Sequence, residues 1–218
     1  MNKISISGNI DLYKGKYIIE CINKECVINI YEDVYLYLVN DEVEKLNINV
    51  FNNSKVNIYK YNEVLNNNIE LNIKVENNSV VNCNMAYTTS IINYVKINCD
   101  IVGDNNNVYL NLRAVSNDAI NKIDCILNIL KSNNNIAIEN LKGICNGGII
   151  EINPVILCDT DNVSANHFTT VGCIKKEELN YLASKGINEI DGKNLLLKGF
   201  LLSNMFELDS ILGGEFYE

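Results

Sequence analysis

The chain has 218 residues, 47% of them hydrophobic and 21% charged, with a formal net charge of −9. Its 18 cationic residues, of which Arg113 is the single arginine, face 27 acidic ones, a balance that argues against nucleic-acid or anionic-membrane partners, both of which need clustered positive charge. No apolar run is long enough to span a bilayer, and the opening MNKISISGNIDLYKGKYIIE lacks the basic-then-apolar layout of a signal peptide, so a cytoplasmic location is expected.

A strand pattern begins almost at once. Leu46-Asn47-Ile48-Asn49-Val50, Ile69 to Val75 and Val108 to Leu112 each alternate apolar with polar residues, as half-buried strands do. Forty residues are Asn, and they cluster. Asn52-Asn53, Asn77-Asn78, Asn105 to Asn107, Asn133 to Asn135 and Asp161-Asn162 begin at intervals of 25, 28, 28 and 28 residues. A weaker series runs between them through Asn66 to Asn68, Asn93, Asn117-Asp118 and Asn146-Gly147-Gly148. Asn suits turns because it tolerates left-handed backbone and bonds its own chain locally.

A sandwich or meander also places strands at short intervals, but a fixed repeat of strand pairs favours stacked rungs. Residues 1–173 are therefore expected to form a right-handed parallel β-helix, with Asn in register able to build side-chain ladders. Pro is absent before Pro154, as expected where backbone N–H groups pair on both sides.

The eight cysteines (21, 26, 83, 99, 125, 145, 158 and 173) show no CxxC spacing and read mostly as small buried hydrophobes. No GxxxxGK[ST] loop is present, and one histidine, His167, with scattered cysteines makes no catalytic set. A single Arg and no obvious Asp cluster also argue against a polysaccharide-cleaving solenoid.

Residues 174–218 change character. The spacing of Leu179, Leu182 and Ala183 predicts a helix over Lys175–Lys185, stopped by Gly186. Asn188, with Asp191 three residues on, caps a second helix that is expected to run through Leu195 to Leu197 and Phe200 to Leu202 as far as Met205-Phe206. It has too many apolar residues for one stripe, so it must cap the solenoid, meet a partner, or both.

The stretch PVILCDTDNVSANHFTTVGCIKKEELNYLASKGI, followed after a few residues by LLLKGFL, resembles the SufB/SufD family of iron–sulfur cluster assembly proteins. Pro154, His167, Thr170, Gly172, Ile174, Tyr181, Leu182, Gly186, Ile187, Gly199, Phe200 and Leu201 carry the resemblance in order and spacing. It implies a parallel β-helix core and a non-catalytic scaffold role in the SUF pathway. It also implies C-terminal helices that dock a SufC-like ABC-type ATPase, with Tyr181, Leu182, Phe200 and Leu201 as partner-binding residues. Pairing through the β-helix with a SufB-like subunit or a second copy is implied as well. A transient iron–sulfur cluster or iron, with none permanently bound, would have His167, Cys158 and Cys145 as candidate ligands.

The departures point to a minimal or divergent SufD-like member. Phe168 follows the histidine where SufB usually has Glu, and the position 28 residues before it is Glu139 rather than Cys, with Cys145 the nearest thiol. The alternative is an interaction solenoid that has lost cluster ligation.

Overall fold

The structure is a computed structural model that describes residues 2–39, 43–62, 65, 67–130 and 132–205. Phe206, the expected end of the second helix, and Asn66 of the second turn series lie outside the described residues. The first strands are β1 (Asn2–Ile6), β2 (Asn9–Leu12), β3 (Gly15–Cys21), β4 (Glu25–Ile30) and β5 (Val34–Leu38). The middle ones are β6 (Lys45–Val50), β7 (Lys55–Asn62), β8 (Ile69–Val75), β9 (Val80–Thr89) and β10 (Asn93–Ile101). Then come β11 (Asn107–Asn117), β12 (Ile120–Ile129), β13 (Asn135–Asn146), β14 (Ile149–Cys158) and β15 (Val163–Gly172). Two helices follow, α1 (Lys176–Ser184) and α2 (Glu189–Leu202).

Odd-numbered strands form an eight-stranded sheet A and even-numbered ones a seven-stranded sheet B, each strand pairing in parallel with the strand two further along the chain. This is the expected stacked β-solenoid with two C-terminal helices. Inward positions carry Ile, Leu and Val throughout, because each rung can bury its apolar face only against the next. The repeat is not constant. Hydrogen-bonded neighbours one turn apart are separated by 18 residues at Asp11–Asn29, 25 at Asn47–Asn72 and 29 at Asn111–Asn140. The solenoid widens along the chain, and the 25–28-residue period of the Asn clusters belongs to its middle.

The corners explain the Asn clusters. Asn53, Asn78, Asn105 and Asn134 have φ between 55° and 63°, the left-handed region that Asn tolerates best among non-glycine residues. Their amides bond in series, Asn78 to Asn53, Asn105 to Asn78 and Asn134 to Asn105 at 3.0–3.2 Å, and Asn162 continues the row to Asn134 at 2.9 Å. The second corner uses Asp118 (φ 51°) and Gly147 (φ 81°). A Cβ on Gly147 would sit 1.9 Å from Asp118 Oδ1, so only glycine fits there.

Pro154 lies within β14. It is tolerated because β14 is the last strand of sheet B and pairs only with β12, opposite Cys125, so its missing N–H interrupts no second neighbour.

Gly186 (φ 85°) ends α1, and Asn188 Oδ1 accepts from the Asp191 N–H at 2.9 Å to start α2. The helix ends at Leu202, short of Met205. It lies on the outer face of sheet A and not over the open last turn. Leu197, Leu201 and Met205 pack against Tyr37, Tyr59, Ala86 and Val115, which come from β5, β7, β9 and β11. Arg113, only 5% exposed, pins its end. Nε donates to Ser203 Oγ at 3.3 Å and Nη2 to Asn204 Oδ1 at 3.2 Å, with the guanidinium 5.9 Å from the Phe200 ring centre. Among the described residues no helix is long and apolar enough to cross a membrane.

Candidate functional site: the open last turn

In the middle of the solenoid, side chains alternate cleanly between buried and outward. β10, for example, buries every second residue from Asn93 to Ile101. β15 keeps the same alternation of direction, but among the described residues no rung covers it, so both of its faces are largely open. Its register, Ala137–Ala165, Glu139–His167 and Leu141–Thr169, puts His167 on the inward column, directly beyond Glu139. The histidine is exposed because the column ends there. Beside it the Phe168 ring points outward, 58% exposed, and Val171, Leu157 and Val155 are also open. The last turn therefore presents unpaired strand edge, apolar side chains and one imidazole together.

Glu139 is the other unusual group. It is fully buried, with the Cys125 thiol beside its carboxyl and no strong hydrogen-bond donor to either oxygen among the described residues. Burial pushes its pKa up to about 7, opposed only by the nearby Cys125 thiol. The same interior holds the thiols of Cys83, Cys99 and Cys125, whose pKa values burial raises, to about 12 for Cys83. These thiols are inert packing groups at neutral pH.

The three candidate ligands do not converge. Cys145 lies six residues beyond Glu139 along β13, about 20 Å from the His167 column at the usual strand rise. Cys158 ends β14 at the turn into β15, exposed, with its thiol donating to the Thr160 carbonyl at 3.0 Å. Among the described residues no three His, Cys, Asp or Glu side chains are gathered to hold a metal. The four candidate partner residues also differ from one another. Leu201 is buried against sheet A, Phe200 is half-buried against Arg113, and Leu182 closes on Gly192 of the other helix. Tyr181 alone is open, 63% exposed, in company with Ile190 and Leu195.

Glu139 entered the sequence reading only as the place where a thiol was expected, and Arg113 only as a charge. A signal for Arg113 was available: in Leu112-Arg113-Ala114-Val115 the polar alternation breaks, which marks an outward face that something covers.

Residues 144–200, from the end of β13 through most of α2, match the family model for SUF system FeS cluster assembly, SufBD core domain. The iron–sulfur cluster assembly protein SufD of Bacillus subtilis (strain 168) is 38% identical over 58 residues. Both matches support the SufB/SufD family. The aligned segment is 27% of this chain and 13% of that SufD, so the chain spans a small part of its curated relative. The SufBD-core match falls on the open last turn and the helical pair.

Proposed function

We propose that the chain is a non-catalytic scaffold subunit of a cytoplasmic SUF-type iron–sulfur cluster assembly complex. In this reading its helical pair docks a SufC-like ABC-type ATPase, and its open last turn pairs with a SufB-like subunit or a second copy. The observation that supports it most is the coincidence of the SufBD-core match with the open last turn, where His167 and Phe168 stand beside unpaired strand edge. An exposed edge strand with apolar neighbours is a template for pairing with another chain. Tyr181, Ile190 and Leu195 are the large apolar side chains that α1 and α2 leave exposed, and in this reading they are available to the ATPase.

The cargo in this reading is iron or a nascent cluster, held only in transit. His167 offers an imidazole, and Glu139 one rung below offers a carboxyl group whose near neighbour is the Cys125 thiol. The spread of Cys145 and Cys158 favours a second reading, in which the subunit keeps docking and pairing but leaves ligation to its partner.

Co-expression with an ABC-type ATPase and a SufB-like subunit, followed by anaerobic loading with iron and sulfide, tests both. Co-purification of the ATPase that is lost in Tyr181→Asp supports docking. Cluster retention that drops in His167→Ala supports the first reading, and unchanged retention selects the second. A chain that captures neither partner contradicts the scaffold role.

A further inference from the structure

One pair of cysteines is brought together by the fold and used by nothing described above. Pairing between β13 and β15 ends at Ile144 opposite Gly172, so Cys145, still in β13, and Cys173, the first residue after β15, come next in register. Their facing is fixed by their neighbours. Ile144 packs on the outer cluster beneath α2, and Cys145 packs on the inner core. Ile174 also packs on the outer cluster, so the alternation carries on past the end of β15 and turns Cys173 inward, on the side of Cys145. Registered neighbours on parallel strands have Cα and Cβ atoms about 4.8 Å apart. The Cα separation lies within the roughly 4.4–6.8 Å that a disulfide spans, and a small closing of the chain after β15 toward β13 brings the Cβ atoms to the roughly 3.5–4.5 Å it needs.

We propose that Cys145 and Cys173 form a dithiol that closes reversibly to a disulfide across the last turn. The two are unequal in a useful way: Cys173 is exposed and Cys145 is half-buried. A small-molecule disulfide such as oxidised glutathione is the oxidant. The Cys173 thiolate attacks one of its sulfurs, forming a mixed disulfide and releasing one glutathione thiolate. The Cys145 thiolate then attacks the Cys173 sulfur, and the new bond forms as the second glutathione leaves. The dithiol is oxidised by two electrons and the glutathione disulfide is reduced to two thiols. The other cysteines stay out of it. Five are buried, and Cys158 is exposed but lies at the far end of β15. The closed bond ties β15, with His167 and Phe168 on it, to β13 just before α1 begins, so oxidation fixes the turn proposed as the pairing surface. The bond itself does not depend on that reading.

The test uses the full chain in glutathione buffers of graded oxidation, with free thiols alkylated before peptide mapping. No Lys or Arg lies between Lys142 and Lys175, so cleavage at Glu151, Asp159 and Asp161 is needed to separate Cys145, Cys158 and Cys173. The expected result is loss of two thiols together and a Cys145–Cys173 cross-link, with Cys158 still free or carrying glutathione. Cys158→Ser leaves the bond intact, and Cys145→Ser stalls at glutathione on Cys173. The proposal is overturned if Cys173 carries glutathione while Cys145 stays a free thiol, or if the cross-link involves Cys158. Because the wild-type map decides the matter, a variant that fails to fold does not obscure it, and neither outcome bears on ATPase capture.

Discussion

The middle turns and the last turn are made by the same rules and end in opposite states. In β8 to β13 every inward side chain is covered by rungs on both sides, and the corner amides bond in unbroken rows. In β14 and β15 the same alternation continues with nothing on the far side, so His167 and Val171, inward by register, are solvent-exposed. A solenoid needs nothing more than a missing next rung to turn core chemistry into surface chemistry. Side chains that would be fillers four turns earlier become available to a partner.

The largest expected difference between the two regions is in packing. Leu127→Ala, at a position with no exposure in β12, is expected to cost about 2–5 kcal/mol in urea unfolding, whereas Val171→Ala in β15 costs under about 1 kcal/mol. Equal losses at the two sites would show that the last turn is covered in solution.

Glu139 sits at the boundary between the two regions, and its effect depends on pH. Its carboxyl pKa rises from 4.5 in the unfolded chain to about 7 when folded, so the neutral form is the one the fold favours. Stability from this group is therefore fully present below about pH 4.5 and is lost as pH rises through about 7, by an amount on the order of 3 kcal/mol. Glu139→Gln should flatten the pH dependence between 5 and 8 and be the more stable protein at the alkaline end, as read by thermal unfolding. A variant with the same pH slope as the wild type would mean that the carboxyl is already compensated.

Smaller effects separate the covered side of sheet A from the corners. Arg113→Met removes the polar anchor of α2 but keeps apolar bulk. It should speed hydrogen exchange in 195–202 and cost about 1–3 kcal/mol, leaving β10 and β12 unchanged. At the corner, Asn105→Ala loses two amide bonds and strains a φ of 59°, for about 1–2 kcal/mol. Asn105→Gly loses the same bonds but relieves the backbone and should cost less; equal costs would show that the ladder, not the turn, carries the effect.

Much of this fold was legible in the sequence because its two signals, period-two alternation and Asn at the corners, are local. Asn53, Asn78 and Asn134 are each the second residue of an Asn pair visible in the chain, and each takes the left-handed turn. The shorter first turns were not legible, since no Asn pair marks corners such as Tyr31 to Asp33. The lateral docking of α2 was written only in the outward Tyr37, Tyr59 and Val115, which look like ordinary strand residues until a helix covers them. At the candidate site, the Pro154-to-His167 spacing pointed to the right turn, but placement along β13 and β14 was needed to show that Cys145 and Cys158 lie away from the histidine. Glu139 gives no sign of burial in sequence, because a glutamate in an alternating strand normally faces out.

Hydrogen exchange of the chain alone and mixed with an ABC-type ATPase and a SufB-like subunit tests the central claim, that the last turn and the helical pair are the interacting end of a solenoid whose middle turns are closed. The account predicts new protection in 163–172 and around Tyr181 and Ile190, with β4 to β12 unchanged. Protection confined to the Asn-lined outer face of sheet B, or none at either end of the match region, would contradict it.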